Sequence, residues 1–232
     1  MDFNSAAMWA ALGSIIWVNI ILSGDNAVVI AMAARTLPAE QQKKAIFWGS
    51  AAAIVLRIGL TIIAAAMLTW PYLKIIGGLL LLWIGTSLLA EQADDDEDGD
   101  AKVVGSLMQA VRTILVADLV MSLDNVLAVA AAAKGNTALL VIGLGLSIPL
   151  IIFGATLLVK VMDRFPVIVT LGAALLGFLA GEMILTDPAL VKMVGTLSED
   201  WVHVGGVVGA IAVVVVGKLM HRRAVAAAAA DH

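Results

Sequence analysis

VNIILSGDNAVVIAMAAR, residues 18–35, and ADLVMSLDNVLAVAAAAK, residues 117–134, carry one pattern twice. An offset of 99 residues lays Ser23, Asp25 and Asn26 on Ser122, Asp124 and Asn125, Asn19 on Asp118, and Arg35 on Lys134. With slightly different offsets Gly49 meets Gly143, Ile54 meets Ile148, Pro71 meets Pro166 and Gly77 meets Gly172. Both copies are embedded in apolar runs of about twenty residues, enough to cross a hydrocarbon layer of about 30 Å at about 1.5 Å per helical residue. The whole chain is built this way. Of its 232 residues 62% are apolar and 14% charged, none is cysteine, and the mean hydropathy is +1.03. A soluble globular domain is excluded, as are disulfide scaffolds and thiolate metal sites. The net charge of −4 argues against nucleic acid as a partner.

Read from one polar break to the next, the sequence predicts an all-α membrane protein with seven transmembrane helices. They lie near residues 9–34, 46–69, 72–90, 108–133, 138–159, 165–186 and 202–219. Residues 9–90 form one three-helix repeat, 91–107 an acidic connector, 108–186 a second repeat, and 202–219 a seventh helix before a short tail, 220–232. Three is odd, so the two copies must cross the membrane in opposite senses, an inverted repeat of the kind frequent in secondary transporters. Alternating the connectors puts Arg35, Lys43, Lys44, Lys102, Arg112, Lys160, Arg164, Lys218, Arg222 and Arg223 on one side. Only Lys74, Lys134 and Lys192 fall on the other. By the positive-inside rule the N-terminus is expected outside and the C-terminus in the cytoplasm. The opening MDFNSAAMWA has no basic n-region and does not read as a cleavable signal peptide.

Asp25 precedes Arg35 by ten residues, as Asp124 precedes Lys134. Ten residues climb about 15 Å, half the hydrocarbon thickness, so both carboxylates are expected at the midplane, reached from opposite sides. An ionised Asp there costs about 2.5–3.5 kcal/mol on insertion scales, which marks Asp25, Asp124 and Asp118 as functional candidates. Asp118, Ser122 and Asn125 share one helix face, as do Asn19, Ser23 and Asn26 on the matching helix. Ser and Asn at such positions also bridge helices without binding anything, so Asn19, Ser23 and Ser122 are assigned a supporting place. Gly24 offers a point where the first helix can break and free backbone carbonyls; Leu123 at the matching place offers none.

Carboxylate, amide and hydroxyl oxygens suit Mg²⁺, Ca²⁺ or Mn²⁺ and disfavour Cu(I) and Zn²⁺. The metal candidates are Asp25, Asn26, Asp118, Asp124 and Asn125. Arg57, near the middle of the second span where the repeat has Ile151, requires an anion; with three Asp it leaves a net −2, the match for a divalent ion. Glu182, near the end of the sixth span, either relays protons or reaches the interface beside Asp187. Trp70 and Tyr72 read as interface anchors. Asp94 to Gly99 opens like an EF-hand loop, but the twelfth position is Gly105 rather than Glu, so the acidic run is read as a solvated connector that attracts cations weakly.

The paired S-G-D-N and S-L-D-N signatures resemble those of the TerC family of integral membrane proteins, and the seven-span layout is similar to its YjbE-like branch. The resemblance covers residues 9–200. It implies kinship with LysE-type exporters, manganese efflux or supply of metal to exported proteins, a bacterial cytoplasmic (inner) membrane location, and a metal site at Asp25, Asn26, Asp124 and Asn125 with Asp118 close by. The oxygen chemistry fits manganese and calcium equally; the resemblance favours manganese. Expected, then, is a secondary transporter exporting Mn²⁺ against protons. A solute exporter of amino-acid type, or a membrane scaffold or metallochaperone partner with a structural Asp cluster, are the alternatives. No prosthetic group is implied. Partners would be the cation, the bilayer, a second copy of the chain or exported proteins awaiting metal. No H-E-x-x-H, G-x-S-x-G or nucleotide-binding motif occurs, and the chain does not read as an enzyme.

Overall fold

The computed structural model describes residues 12–14, 16–17, 24–67, 70–92, 106–132 and 137–230, side chains at 62–67, 92, 124–132, 137, 139–140 and 224–230 excepted. Among the described residues there are helices and no strands. They are α1 (Gly24–Arg35), α2 (Ala39–Met67), α3 (Leu73–Gln92), α4 (Leu107–Ala132), α5 (Thr137–Arg164), α6 (Val167–Leu185), α7 (Pro188–Val194) and α8 (Glu199–Ala230). Among the described residues five stretches are long and apolar enough to cross a membrane: Ala39–Thr61, Leu73–Glu91, Val141–Arg164, Val167–Leu185 and Glu199–Arg223. Of the other two expected spans, α4 supplies a continuous helix past Leu123, and α1 supplies the second half of the first. Asn19 and Ser23, and with them the expected break ahead of Gly24, lie outside the described residues, as do 93–105 of the acidic connector.

Three helices run well beyond the spans expected from hydropathy, while α6 (Val167–Leu185) stops just inside 165–186. α2 begins at Ala39 rather than near 46, because Pro38 opens it by accepting the Gln42 amide at 2.9 Å. α5 runs on to Arg164 and α8 from Glu199 through Ala230. Hydropathy marks where the hydrocarbon ends, whereas a helix continues through its polar turns until its backbone bonds are broken or capped. The break after α6, expected to be irregular, holds the seven-residue α7.

Packing explains the sequence's small residues. α1 is the central helix: Ala31, Met32 and Ala34 are wholly buried, and it touches α2, α4, α5 and α6. The most extensive pairing is α6 with α8, where Gly177 and Gly181 lie directly against the backbone of Gly209 and Gly205. Small residues let backbones approach closely where lipid supplies no hydrophobic drive between helices. Outward the bundle is apolar: Trp83, Phe153, Leu171, Val208 and Ile211 are exposed, as a lipid-facing belt requires. Trp70 and Tyr72 are exposed at a helix start, the place expected of interface anchors.

Contacts between helix ends fix how the helices alternate. The last residue of α1, Arg35, pairs with Asp163 near the end of α5, Nε to Oδ1 2.8 Å. At the other end of the molecule the start of α3, the end of α6 and the start of α8 meet, through Lys74, Thr186, Glu182 and His203.

Candidate functional site

Three helices converge on the polar centre. α2 sends in Arg57, which is 1% exposed; α4 supplies Asp118 and Ser122; α1 supplies Asp25 and Asn26. The Arg57 guanidinium donates through Nη2 to Asp118 Oδ1 and through Nε to Ser122 Oγ at 2.9 Å, and Ser122 Oγ donates to Asp118 Oδ2 at 3.3 Å. One turn further along α2, Thr61 Oγ1 returns a 2.7 Å bond to the Arg57 carbonyl. A buried charge of this kind is tolerable only when paired and hydrogen-bonded, and both conditions are met.

Asp25 stands apart from that pair yet within electrostatic reach of both Arg57 and Asp118. Its Oδ1 accepts the Asn26 amide at 2.8 Å, and the Asn26 side chain is buried. Asp25 is also half-exposed to a cavity of about 280 Å³, shared with Leu81, Met121, Leu179, Glu182 and Thr186. Thus the structure brings Asp25, Asn26, Arg57, Asp118 and Ser122 together, and joins Glu182 to Asp25 by a common cavity. Asp124 and Asn125 are on α4, two and three residues beyond Ser122, with side chains outside the described ones. Among the described residues no three His, Asp or Glu side chains cluster as metal ligands.

A family model described as "Integral membrane protein TerC family" matches residues 4–226. The chain belongs to the TerC family. This TerC protein is similar to the "Uncharacterized membrane protein YjbE" of Bacillus subtilis (strain 168), 46% identical over 176 residues, covering 76% of this chain and 79% of that one. It is 29% identical over 243 residues to YkoY of the same organism, covering 92% of this chain and 74% of the relative. With the "UPF0053 inner membrane protein YgdQ" of Escherichia coli (strain K12) it shares 24% identity over 192 residues, 76% of this chain and 81% of the relative. No solved structure matches. Family membership and the apolar helices together make it a multi-pass integral membrane protein.

Two arrangements in this TerC protein escaped the sequence reading. At the cavity rim His203 Nδ1 lies 2.6 Å from Glu182 Oε1, and the Phe178 ring stacks on the imidazole at 6.2 Å between centroids. Nearby, wholly buried Asp187 holds two helix starts at once. Its carboxylate accepts the amide of Ala189 at 2.7 Å, capping α7, and those of Tyr72, Lys74 and Ile75 at 3.0, 3.0 and 3.2 Å, capping α3. Tyr72, at φ 67°, is in the left-handed region that a side chain disfavours, and the Asp187 bond holds it there. Burial works to raise the Asp187 pKa, but four backbone N–H donors outweigh it and hold the carboxyl below its ordinary value. Asp187–Pro188 ahead of a short apolar run is a helix-start signature and was the available signal.

Proposed function

We propose that this chain is a secondary transporter that exports a hard divalent cation, Mn²⁺ by family resemblance, from the cytoplasm through a midplane Asp/Asn site, with protons moving the other way. The observation that carries the reading is the division of charge. Arg57 is paired with Asp118, and one guanidinium with the three carboxylates of Asp25, Asp118 and Asp124 sums to −2, the charge that a divalent ion would balance. Asp118 and Ser122 then hold the cluster in register, and Asp25, Asn26, Asp124 and Asn125 are left for the ion.

Helix pairing supports the seven-span inverted repeat. Exchanging α1, α2, α3 with α4, α5, α6 turns the α1–α5 contact into α4–α2 and the α1–α6 contact into α4–α3; α1–α4, α2–α5 and α3–α6 turn into themselves. All seven of these contacts are present. The same reading places the membrane face bearing Lys74, Thr186 and Glu182 outside, the Arg35–Asp163 pair and the C-terminus in the cytoplasm, and the protein in the bacterial cytoplasmic membrane.

Mn²⁺ uptake into everted membrane vesicles tests it. Asp25→Asn and Asp124→Asn should each abolish uptake while the protein remains inserted and folded, because each removes an anionic oxygen ligand. Flux near that of the unaltered protein in both variants overturns the site, whereas absence of Mn²⁺ flux in the unaltered protein overturns export and leaves the scaffold reading in its place.

A further inference from the structure

We propose that Glu182 and His203 form a proton port through which protons from the outer face reach the central cavity. The proposal rests on the export reading above and gives its counter-ion a route. Glu182 ends α6 and His203 starts α8, and their carboxylate and imidazole are 2.6 Å apart, the distance of a strong shared-proton hydrogen bond. Their environments are graded from wet to dry. The His203 side chain is 63% exposed, that of Glu182 24%. Behind Glu182 the cavity continues to Asp25 between Leu81, Met121, Leu179 and Met183. At about 30 Å³ per water molecule, a 280 Å³ space has room for a short chain of waters.

Histidine is the side chain whose ordinary pKa, about 6.5, lets it both take and give a proton near neutrality. Stacking on Phe178 keeps the ring over Glu182. The step balances with His203 as imidazolium: its Nδ1 proton passes to the Glu182 carboxylate and leaves a neutral imidazole, Glu182 passes the proton to cavity water as hydronium, and the imidazole takes a replacement from a hydronium of the outer solution. The charges facing the pair favour a proton over a resident metal. Lys74 on α3 lines the same cavity, with Nζ 3.4 Å from Thr186 Oγ1, and sets a positive charge against any divalent ion settling beside Glu182. Asp25 faces the cavity from α1; Asp187 is committed to four amides; among the described residues, Lys192 on α7 and Glu199 and Asp200 at the start of α8 are the remaining charged groups at this end. Those of α5, Lys160, Asp163 and Arg164, are at the far end.

The test uses the full chain in proteoliposomes of known orientation, with inner pH fixed. Mn²⁺ flux is followed together with the movement of protons reported by a trapped pH dye, and Mn²⁺ affinity is measured separately at equilibrium. The unaltered protein should export faster as the outer pH falls. Glu182→Gln and His203→Gln should flatten that pH profile and cut Mn²⁺-driven proton flux about tenfold, with Mn²⁺ affinity unchanged; Glu182→Asp should keep the profile. An unaltered profile in both variants overturns the port and leaves the export reading standing; Mn²⁺ flux by the unaltered protein with no proton movement overturns the port together with the proton coupling of the export reading, but not the export itself. Loss of Mn²⁺ affinity in either variant also overturns it, since the pair would then be a metal ligand. No Mn²⁺ flux in the unaltered protein overturns both.

Discussion

Arg57 and Asp118 are 61 residues apart in sequence and meet in the centre of the bundle, where one guanidinium bonds both Asp118 and Ser122. Because those two acceptors are a single turn apart on α4, the planar fork of arginine fixes the rotation of α2 against α4, which a lysine's single ammonium does not. The charge partition at the site depends on that rotation. If Arg57 turned away, Asp118 would add a third negative charge to the cavity side.

Arg57→Ala should therefore be the most damaging single change in the polar centre. It strands Asp118 without its cation, and breaking one side of a buried pair costs about 3–5 kcal/mol. Thermal unfolding in detergent should show a large fall in Tm, and Arg57→Lys a smaller one. Replacing both partners, Arg57→Met with Asp118→Leu, should recover much of the stability but not the transport. Unchanged Tm in Arg57→Ala would show that the pair holds nothing.

The Asp187 clamp gives a pH dependence of definite sign. Its carboxyl is held below the ordinary value in the folded protein, so its stabilisation is fully present above the unfolded pKa of about 3.9 and is lost as pH falls through the lower folded value. Asp187→Ala should lower Tm near neutrality and free the start of α3 from the start of α7. The gap between the two proteins should narrow only below about pH 4. A constant gap down to pH 2 would mean the carboxylate's charge contributes nothing there.

Fold class and much of the polar centre were legible because both leave periodic marks. Spans of about twenty apolar residues have a fixed length, and the D-N pair stands out against them. The need of Arg57 for an anion was also visible, since the repeat has Ile151 at that place. What stayed hidden were pairings across helices with no period to announce them. Glu182 and His203 are 21 residues apart with no shared motif, and only folding α8 back along α6 makes them neighbours. α7 was missed because seven residues make too short a pattern to show a face.

The acidic connector should tune transport rather than create it. Asp94, Asp95, Asp96, Glu97 and Asp98 lie outside the described residues, so the expectation rests on charge alone. Attraction between exposed charges fades beyond about 8 Å at physiological salt, so they can concentrate cations at the cytoplasmic mouth without selecting among them. Neutralising all five with Asn and Gln should raise the apparent KM for Mn²⁺ modestly, most at low ionic strength, with maximal rate and metal preference intact. A changed metal preference would mean that the connector itself holds a binding site.

The glycines of the α6–α8 seam separate crowding from helix propensity. A Cβ on Gly181 would run into the Gly205 carbonyl, and one on Gly209 into that of Gly177, both backbone atoms that no side-chain rotation can clear. Gly181→Ala and Gly209→Ala must push the two helices apart, losing packing that a lipid environment does not replace, and overpacking of this kind costs about 1–3 kcal/mol. Gly59 and Gly145 meet nothing within 4 Å, so alanine there adds no clash. In those helix interiors it should instead gain up to about 1 kcal/mol in helix propensity. Four single variants compared by thermal unfolding in one detergent decide it. The seam pair should fall in Tm while Gly59→Ala and Gly145→Ala hold or rise. Equal behaviour of all four would mean that α8 is not seated against α6 as closely as the glycine contacts describe. Because His203 is carried on α8, the seam variants should also weaken the Glu182–His203 contact and blunt the response of transport to outer pH, whereas the two open-glycine variants should leave it intact.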